Sequence, residues 1–538
     1  MISEHSDVTS DAASLDGWSL RRVSLGGTAL SQALQQNPAL HGWLAERPRS
    51  VEEWRARVQR VQAAAHGHDW LTPLAPAIAA TGRAAERLGR AAAHGVVVTT
   101  GQQPGLFGGP AYTWSKALSA LAMADVLEEA TGIPVAPIFW AATDDSDWVE
   151  AAVTHLATSR GLETLTLEGP PTEGVAMADV RLGSMHAALQ SLRHASGSAA
   201  YDSILRVMDQ AYVPHATIGA AYVQLLRAVL EPLGMAVLDA SHAALRLAAD
   251  PVLRRALQHA PAVSEALATR SGDIVAAGFA PQVDVLDDLS LVFRTTVGSS
   301  GRERDRVRAR VPVVDAVRVV READAGSLGP NVLLRPVIER ALLPTVAYHA
   351  GPGEYAYFAQ IAPIAMALGL ESPLAVPRWA GEIIEGRADR LREALGLNET
   401  ALRDPHAAES QVARNTVEPE VQDAIERLHV ALETQVRAVR EAVTRTEPVV
   451  SPDVVAGLAK DLTVRLERFE RRVRSGVKRK EVALMRDVAY VRAALRPEGH
   501  SPERRLNLVP LLARFGPSIL DAMRLDAYAY AKRLVDGA

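Results

Sequence analysis

The sequence predicts an α/β protein with a mostly parallel sheet, followed by a long antiparallel α-helical hairpin. A strand, loop, helix, strand pattern near residue 100 and further short apolar segments up to about residue 380 predict the sheet. Two long runs of apolar residues at helical spacing after residue 420 predict the hairpin. The chain has 538 residues, so we expect more than one structural unit.

The first pattern lies in "VVVTTGQQPGLFGGPAYTWSKALSALAMADVL", which starts at Val96. Residues 96–100 are predicted as a strand, and a glycine-rich loop leads to a helix over about 113–130 that ends at Gly132. The short apolar segment "IPVAPIFWAAT" is predicted as the second strand. Strand, helix and strand in this order form a βαβ unit, which is typical of a parallel sheet.

Further elements follow the same logic. We predict helices within 31–95, short strands near 165–181, one helix over 203–232 and a buried strand over 234–240. The segments "LSLVFRTTV" and "RVRARVPVV" are predicted to pair as β strands. Together these segments predict a sheet of five or six strands with insertions, spread over roughly residues 70–380.

The C-terminal third has a different pattern. Apolar residues from Val455 to Val477 repeat at spacings of three, four and four, an 11-residue repeat that predicts nearly straight helices. The segment "TEPVVSPDV" is predicted as the turn of the hairpin, with Ser451 capping the second helix and Pro452 at its first position. The flank "RLERFERRVR" could contact nucleic acid, but its interspersed charges favour a solvated helix face.

Composition excludes several classes of protein. Hydrophobic residues make up 48% and charged residues 22%, and the net charge of -5 gives no reason to expect nucleic acid or an anionic membrane as partner. The absence of cysteine excludes disulfides, a thiolate nucleophile and Cys-ligated metals. The polar N-terminus predicts no signal peptide, and no apolar run reaches the length of a membrane span, so we expect a cytoplasmic protein.

The loop over residues 101–110 has neither the GxxxxGK[ST] nor the GxGxxG pattern. It can still bind an anion, because glycines allow close backbone approach and the following helix begins with free N–H groups. Lys116 near the start of that helix, with Gln102 and Gln103 at the strand end, adds polar groups where open α/β sheets bind ligands. The alternative is a purely structural connection.

An acidic cluster follows the second strand in "FWAATDDSDWVE". Asp144, Asp145, Asp147 and Glu150 repel one another unless a cation or several hydrogen-bond donors meet them. The cluster could hold Mg²⁺, bind a substrate amine or act as a general base. The alternative is N-capping of the next helix.

Two further groups are candidates. In "YHAGPGEYAYFAQ" residues 351–353 are predicted as a tight turn that presents Glu354. A turn with no functional role is the simpler interpretation. Arg335 and Arg378 each stand beside a proline, where a guanidinium suits bidentate binding of carboxylate or phosphate. A structural role for each arginine is the alternative.

These stretches together resemble one family. "TGQQPGLFGGPAYTWSKA", "FWAATDDSDWVE", "PNVLLRP…LLPTVAY…GPGEYAYFAQ" and "VPR", in this order and ahead of a helical hairpin, resemble the BshC family of bacillithiol biosynthesis. The first motif is highly specific, the others are moderately so, and the resemblance covers nearly the whole chain.

The resemblance implies a Rossmann-like core with connecting insertions, similar to class I nucleotidyl-transferase folds, and a coiled-coil domain that forms a homodimer. It also implies a ligase that joins cysteine by an amide bond to the amino group of glucosaminyl-malate. Amide formation from a free carboxylate usually requires ATP, so ATP with Mg²⁺ is a candidate cofactor.

This chain departs from the family pattern at several positions. Ser146 stands where the family usually has histidine, and we hypothesise that His349, just before the GPGE turn, supplies the missing imidazole. Glu339 replaces an expected glutamine, and Pro502-Glu503-Arg504 replaces a Gln-Glu-Arg triplet. A different amine or amino acid as substrate would be compatible with these changes.

The sequence therefore assigns two sets of site residues. The catalytic set is Asp144, Asp145, Asp147 and His349. The set for substrate or nucleotide is Gly101, Gln102, Gln103, Gly105, Gly108, Gly109, Tyr112, Lys116, Asn331, Arg335, Gly351, Gly353, Glu354, Tyr357 and Arg378. No residue is assigned as a metal ligand.

We expect three regions: a core over 1–385, a coiled coil over 386–500 and a helical tail over 501–538 that docks on the core. The expected partners are cysteine, glucosaminyl-malate and a second copy of the chain. The alternative function is a non-catalytic protein that binds a nucleotide or metabolite and recruits a partner through its coiled coil.

Overall fold

The computed structural model describes residues 17–169, 173–297, 306–445 and 450–537. The predicted absence of a signal peptide concerns residues outside these ranges, and so does the first part of the predicted hairpin turn, residues 446–449. Within the described ranges, no helix combines the length and apolar character that a membrane crossing needs.

The strands and helices alternate through most of the chain. The strands are β1 (Trp18–Arg22), β2 (Val96–Gln102), β3 (Val135–Ala141), β4 (Val153–Thr158), β5 (Gly161–Thr166), β6 (Ala236–Asp239), β7 (Leu289–Val297), β8 (Arg306–Pro312), β9 (Leu328–Pro330), β10 (Thr345–Ala350), β11 (Ala375–Pro377) and β12 (Gly381–Glu385). The first helices are α1 (Ala29–Gln36), α2 (Val51–Ala65), α3 (Ala75–Ile78), α4 (Gly82–His94), α5 (Tyr112–Thr131), α6 (Trp148–Ala151), α7 (His186–Ala195), α8 (Ser203–Ala211) and α9 (Ile218–Leu230).

The remaining helices complete the core and build the C-terminal third. They are α10 (Ala243–Gln258), α11 (Ala260–Ala276), α12 (Ala316–Glu322), α13 (Arg335–Leu342), α14 (Pro352–Ala367), α15 (Gly386–Ala394), α16 (Glu399–Arg403), α17 (Pro405–Thr416), α18 (Pro419–Arg445), α19 (Pro452–Lys480), α20 (Val482–Leu495), α21 (Pro502–Arg505), α22 (Val509–Phe515) and α23 (Ser518–Asp536).

The central sheet has five strands in the order β11-β10-β2-β3-β6, and every neighbouring pair is parallel. The pairing of β2 with β3 runs from Val96 opposite Val135 to Gln102 opposite Ala141. The chain builds the sheet outward from β2 to β6 and then returns to the other side of β2 with β10 and β11. This arrangement confirms the predicted α/β fold, and the strand order reverses between β2 and β10.

Strand β2 is buried on both faces because its side chains alternate between two core layers. Val96 and Val98 belong to the layer that contains Trp114 of α5, whereas Val97 belongs to the layer that contains Leu88 of α4. Helix α5 is buried along most of its length, and α23 from the C-terminal tail packs along it. Helices therefore cover both faces of the parallel sheet.

Two predicted segments differ in the structure. The helix predicted over 203–232 is two helices, α8 and α9, because Pro214 lies in the connection and Thr217 caps α9. Of the short strands predicted near 165–181, the later part is a turn over 177–179, followed by one isolated bridge from Arg181 to Thr217. The predicted β7–β8 pair is confirmed as antiparallel, and β9 extends it to a three-stranded sheet.

The second half of the glycine loop is folded around one asparagine from the tail. Gly108 (φ 89°) and Gly109 (φ 72°) adopt left-handed conformations that favour glycine. The buried Asn507 amide Nδ2 donates to the carbonyls of Phe107 (2.9 Å) and Gly109 (3.2 Å) and to Thr154 Oγ1 (3.1 Å). Its Oδ1 accepts from the Val509 amide, so this one side chain fixes the loop against the tail.

The described chain divides into two compact units. One unit comprises residues up to 156, residues 164–383 and residues from 503 onward, and the other comprises 157–163 and 384–502. The second unit contains α18 and α19, which pack as an antiparallel pair with His429 of α18 against Glu470 of α19. This pair confirms the predicted coiled-coil hairpin.

The buried positions of α19 partly correct the predicted repeat. Val455 and Leu466, eleven residues apart, are buried as predicted, but Leu458 and Phe469 are each 49% exposed. Helix α19 ends at Lys480, and α20 begins two residues later. Ser451 occupies the N-cap position of α19 with Pro452 following, but its side chain makes no capping hydrogen bond in the described structure.

We expect Asn507→Ala to destabilise the first unit by about 2–3 kcal/mol, because several buried carbonyl groups lose their donor. Thermal unfolding monitored by circular dichroism would measure the loss. The exposed Asn415→Ala is the matched control and should leave the melting temperature unchanged. Equal melting temperatures for Asn507→Ala and wild type would contradict the structural role of this residue.

Candidate active site

A cavity of about 300 Å³ opens at the carboxyl ends of β2 and β10, the neighbouring strands between which the strand order reverses. In open α/β sheets this is the position where ligands bind. Most of the residues assigned from the sequence line it: Gly101, Gln102, Gln103, Tyr112, Lys116, Asp144, Asp145, Asn331, Arg335, Gly351, Gly353, Glu354, Tyr357 and Arg378. The structure therefore brings together motifs that are up to 277 residues apart in the chain.

One wall of the cavity is acidic. Asp144 and Asp145 follow β3, and Glu150 projects from the short helix α6. Glu150 accepts hydrogen bonds from the Tyr112 hydroxyl (2.8 Å) and the Gln103 amide (2.7 Å). These donors hold the Glu150 carboxylate in place and compensate its negative charge.

Burial raises the pKa of the Asp145 carboxyl above its usual range, and the neighbouring Asp144 acts in the same direction. Burial also raises the pKa of Glu150, although the Tyr112 hydroxyl opposes this shift. A carboxylate with a raised pKa is a stronger base than an exposed one, so the shift favours proton transfer by these groups.

Another part of the cavity lining is built on an ion pair between the buried Lys116 and the half-buried Glu354. Lys116 Nζ lies 2.6 Å from Glu354 Oε2 and donates to Gln102 Oε1 at 3.1 Å. Burial opposes ionisation of Glu354, but Lys116 and Arg335 outweigh it and lower the pKa of Glu354. This ion pair joins α5, which follows β2, to α14, which follows β10.

Arg335 continues this network. Its Nη1 donates to Glu339 Oε2 (2.9 Å) and its Nη2 to the Tyr348 hydroxyl (3.1 Å), which in turn donates to Glu354 (2.6 Å). Burial raises the pKa of Glu339, and Arg335 and Thr99 oppose that rise. Glu339, which departs from the family pattern, is thus the charged partner of a cavity arginine.

Arg378 is buried and forms a bidentate pair with Glu503 of the tail, at 2.6 and 3.0 Å. Its Nε has no hydrogen-bond partner among the described residues and lies close to Gly351. An unpaired buried donor beside a cavity can satisfy an anionic ligand.

The predicted tight turn at 351–353 is instead the start of α14. Gly351 is the N-cap residue, Pro352 is the first helical residue, and Glu354 accepts from the Gly351 amide at 2.7 Å. The helix N-terminus faces the cavity, and its partial positive charge favours an anion there.

Five assigned residues lie outside the cavity lining. Gly105, Gly108 and Gly109 belong to the half of the loop that surrounds Asn507, so only Gly101–Gln103 of the predicted anion loop faces the cavity. Asp147 is exposed and accepts from the Glu150 amide as the N-cap of α6, which matches the capping alternative.

His349 is the fifth. It is fully buried on β10, and neither ring nitrogen has a hydrogen-bond partner among the described residues. Ser146, where the family histidine would stand, is exposed on the loop after β3. The structure therefore keeps His349 apart from the cavity that it was predicted to complete.

Sequence reasoning missed Arg308, which lines the cavity from β8. The segment "RVRAR" could have indicated it, because the alternation places three arginines on one face of a strand. Three positive charges on one face favour an acidic partner nearby. Tyr348 and Arg504 were also absent from the assigned set. Arg504 is an exposed cation that lines the cavity. It belongs to the C-terminal tail, which is far in sequence from the other lining residues.

Within the described ranges, no group of three or more His, Cys, Asp or Glu side chains could hold a metal ion. The three aspartates diverge instead: Asp147 caps α6, Asp145 accepts from the Asp147 amide, and Asp144 lies near Arg308. The donor set of this cavity therefore does not fit a protein-held Mg²⁺.

Comparison with known proteins gives concordant matches for both regions. Residues 27–379 match the family description "Bacillithiol biosynthesis BshC, N-terminal Rossmann-like domain", and residues 382–531 match "Bacillithiol biosynthesis BshC, C-terminal coiled-coil domain".

Similar curated proteins carry the name "Putative cysteine ligase BshC". The protein from Solibacter usitatus is 30% identical over 445 residues, which cover 80% of this chain and 83% of the relative. The protein from Koribacter versatilis is 30% identical over 451 residues, with coverage of 81% and 82%. A protein from Bacillus cereus is 22% identical over 450 residues, with coverage of 81% and 83%.

The buried His349 predicts a specific sensitivity to acid. Burial lowers the pKa of its imidazole from 6.5 to about 3, so the unfolded state binds a proton that the folded state excludes. The stability is therefore complete above pH 6.5 and falls as the pH drops towards 3, by about 2–3 kcal/mol at about pH 4.5.

Denaturant unfolding of wild type and His349→Leu from pH 7.5 to about pH 4.5 would measure this contribution. The carboxylates titrate in both proteins, so the difference between the two curves isolates His349. We expect the variant to lose less stability on acidification. Parallel curves would show that the imidazole is solvated or paired.

Proposed function

The chain belongs to the BshC family of bacillithiol biosynthesis, and from this premise we propose that it is a cysteine ligase acting on glucosaminyl-malate. It forms an amide bond between the carboxyl group of cysteine and the amino group of the sugar. The name of the relatives supports the ligase and its cysteine substrate. The resemblance supports the amine.

The observation that carries this proposal is the division of charge in the cavity. Asp144, Asp145 and Glu150 form one part of the lining, whereas Lys116, Arg335, Arg378 and the N-terminus of α14 form another. Glucosaminyl-malate has the complementary polarity, with a basic amine at one end and two carboxylates at the other. Electrostatic complementarity of this kind orients a ligand and disfavours binding with its two ends exchanged.

The amine end lies at Asp145 in this proposal. The carboxylate with the raised pKa accepts the proton that the amine loses as its nitrogen attacks. Glu150 is already engaged by Tyr112 and Gln103, so it holds the amine by charge rather than by accepting its proton.

The malate end lies at Arg335 and Arg378. The free Nε of Arg378 and the backbone N–H groups at the start of α14 supply donors for one carboxylate. Arg335 contacts the second malate carboxylate, but Glu339 already compensates its positive charge. Arg335 therefore orients the malate more than it adds to the binding affinity.

The chemistry requires an activated carboxyl group. The C–N bond forms as the bond from the cysteine carboxyl carbon to its leaving group breaks, and the released amine proton passes to Asp145. ATP would supply that activation, and Mg²⁺ would then arrive with its phosphates, since the cavity offers no ligand cluster of its own. Gly101, Gln102 and Lys116 would hold the phosphate oxygens.

The direct test incubates the purified protein with cysteine, glucosaminyl-malate and ATP-Mg²⁺ and measures the thiol product by mass spectrometry. We expect product with wild type and a loss of about 10²–10⁴-fold in kcat with Asp145→Asn, because the base is removed. Asp147→Asn is the matched control, since asparagine also caps a helix, and its turnover should stay near wild type.

Two outcomes would contradict the proposal. Product formation by Asp145→Asn at the wild-type rate would exclude Asp145 as the base. The absence of product in wild type, together with measurable binding of nucleotide, would favour the non-catalytic alternative.

We also propose that the hairpin joins two copies of the chain. Leu428 and Val439 on α18 are 52% and 44% exposed, and Leu458 and Phe469 on α19 are each 49% exposed. Both pairs are eleven residues apart, so each pair lies along one side of its helix. Exposed apolar side chains aligned in this way support an interface, and the family resemblance supports a second copy as the occupant.

Leu458→Glu combined with Phe469→Glu should convert the dimer to a monomer, because two charges would be buried without partners. Light scattering coupled to gel filtration would report the mass, which is 57.6 kDa for one chain. The exposed Arg468→Glu on the same helix is the control and should remain dimeric. A monomeric wild type would contradict this interface.

A further inference from the structure

Arg308 connects the small three-stranded sheet β8-β7-β9 to the loop after β3. It starts on β8 and crosses the face of the three-stranded sheet, with its guanidinium 4.7 Å from the ring centre of Phe293 on the middle strand β7. Its Nη2 then donates to the Pro330 carbonyl on β9 at 3.0 Å. Its Nη1 donates to the Asp144 carbonyl after β3.

The two carbonyl groups belong to different chain segments that both line the candidate site. Asp144 precedes Asp145, the proposed base, and Pro330 precedes Asn331, whose backbone carbonyl accepts from the Arg335 amide at 3.0 Å. One planar guanidinium therefore spans the acidic loop and the segment that leads to the cavity arginine. The Asp144 carboxylate lies 3.7 Å from the same group.

We propose that Arg308 is a positioning residue that holds the acidic loop and the Arg335 segment at a fixed separation. This inference rests on the proposed function, because it assigns Arg308 to the reaction at Asp145 without contact to the reacting atoms. Its hydrogen bonds go to two backbone carbonyls, and the carboxylate beside it, that of Asp144, belongs to the same acidic loop.

The geometry specifies arginine. The fork of a guanidinium can bond two carbonyls in one plane while it stacks on an aromatic ring, whereas the ammonium of lysine is a point charge. Arg308 also opposes the rise in the pKa of Asp145 that burial and the neighbouring Asp144 and Asp147 cause. Its charge and its shape thus have separable effects on the base.

Arg308 has a second consequence for the shape of the site. A neighbouring cavity of about 210 Å³, lined in part by Leu245, Leu253 and Ile338, shares Arg308, Trp140, Asp144 and Pro330 with the first cavity. Arg308 is therefore one of the residues that lie between the two spaces.

Arg308→Lys and Arg308→Met separate the two effects. We expect both variants to lose about 10- to 100-fold in kcat, because misplacement of a base by about 1 Å costs that much. The acid limb of the kcat profile should move to higher pH in Arg308→Met, which lacks the charge, and stay in place in Arg308→Lys. Arg310→Lys and Arg310→Met are the controls, since Arg310 also lies over Phe293, two residues along the same strand.

A measurement without turnover distinguishes failure of this inference from failure of the proposed function. Hydrogen–deuterium exchange by mass spectrometry should show faster exchange in residues 142–147 and 330–335 together in Arg308→Met, and in neither segment in Arg310→Met. Faster exchange in only one segment, or in neither, would overturn the positioning role of Arg308, whichever reaction the protein catalyses. Unchanged kcat in both Arg308 variants of an active enzyme would overturn it as well.

Discussion

The ion pair between Lys116 and Glu354 is the interaction on which the cavity depends. It lies between the two strands where the sheet order reverses, and it bonds the helix that follows one strand to the helix that follows the other. Lys116 is buried and Glu354 is half-buried, so the charge of each compensates the desolvation of the other. Gln102 and Tyr348 are hydrogen-bonded to the pair, and Arg335 is connected to it through Tyr348.

This constraint explains why the cationic side of the site is rigid while the acidic wall is held differently. Lys116, Glu354 and Arg335 form one bonded network on helices that pack on the sheet. The acidic residues lie on the loop after β3 and on the four-residue helix α6. Hydrogen-bond donors from other elements, such as Tyr112 and Arg308, therefore hold these acidic residues in place.

The sequence was sufficient for features whose physical cause is local. The apolar run of β2, the glycine that ends α5 and the clustering of motifs at strand ends are all encoded within a few residues of one another. It was insufficient where the cause is distant. Asn507 occupies the glycine loop from 398 residues away, and Glu503 pairs with Arg378 from 125 residues away, so neither could be inferred from spacing. The sequence left the role of Asp147 open, because a capping aspartate and a catalytic one look alike in sequence.

The position of Asn507 has a consequence for the order in which the protein is made. The loop that it fixes is synthesised early, and at about 5–20 residues per second the 398 intervening residues take about 20 to 80 s to emerge. Throughout that interval the carbonyl groups of the loop lack the Asn507 amide, and Arg378, which is synthesised later, lacks Glu503 until 125 further residues have been added. Both the loop and the Arg378 ion pair are therefore completed only when residues 503–507 have emerged. A chain that terminates before them would lack the partners of a loop and of a candidate-site arginine.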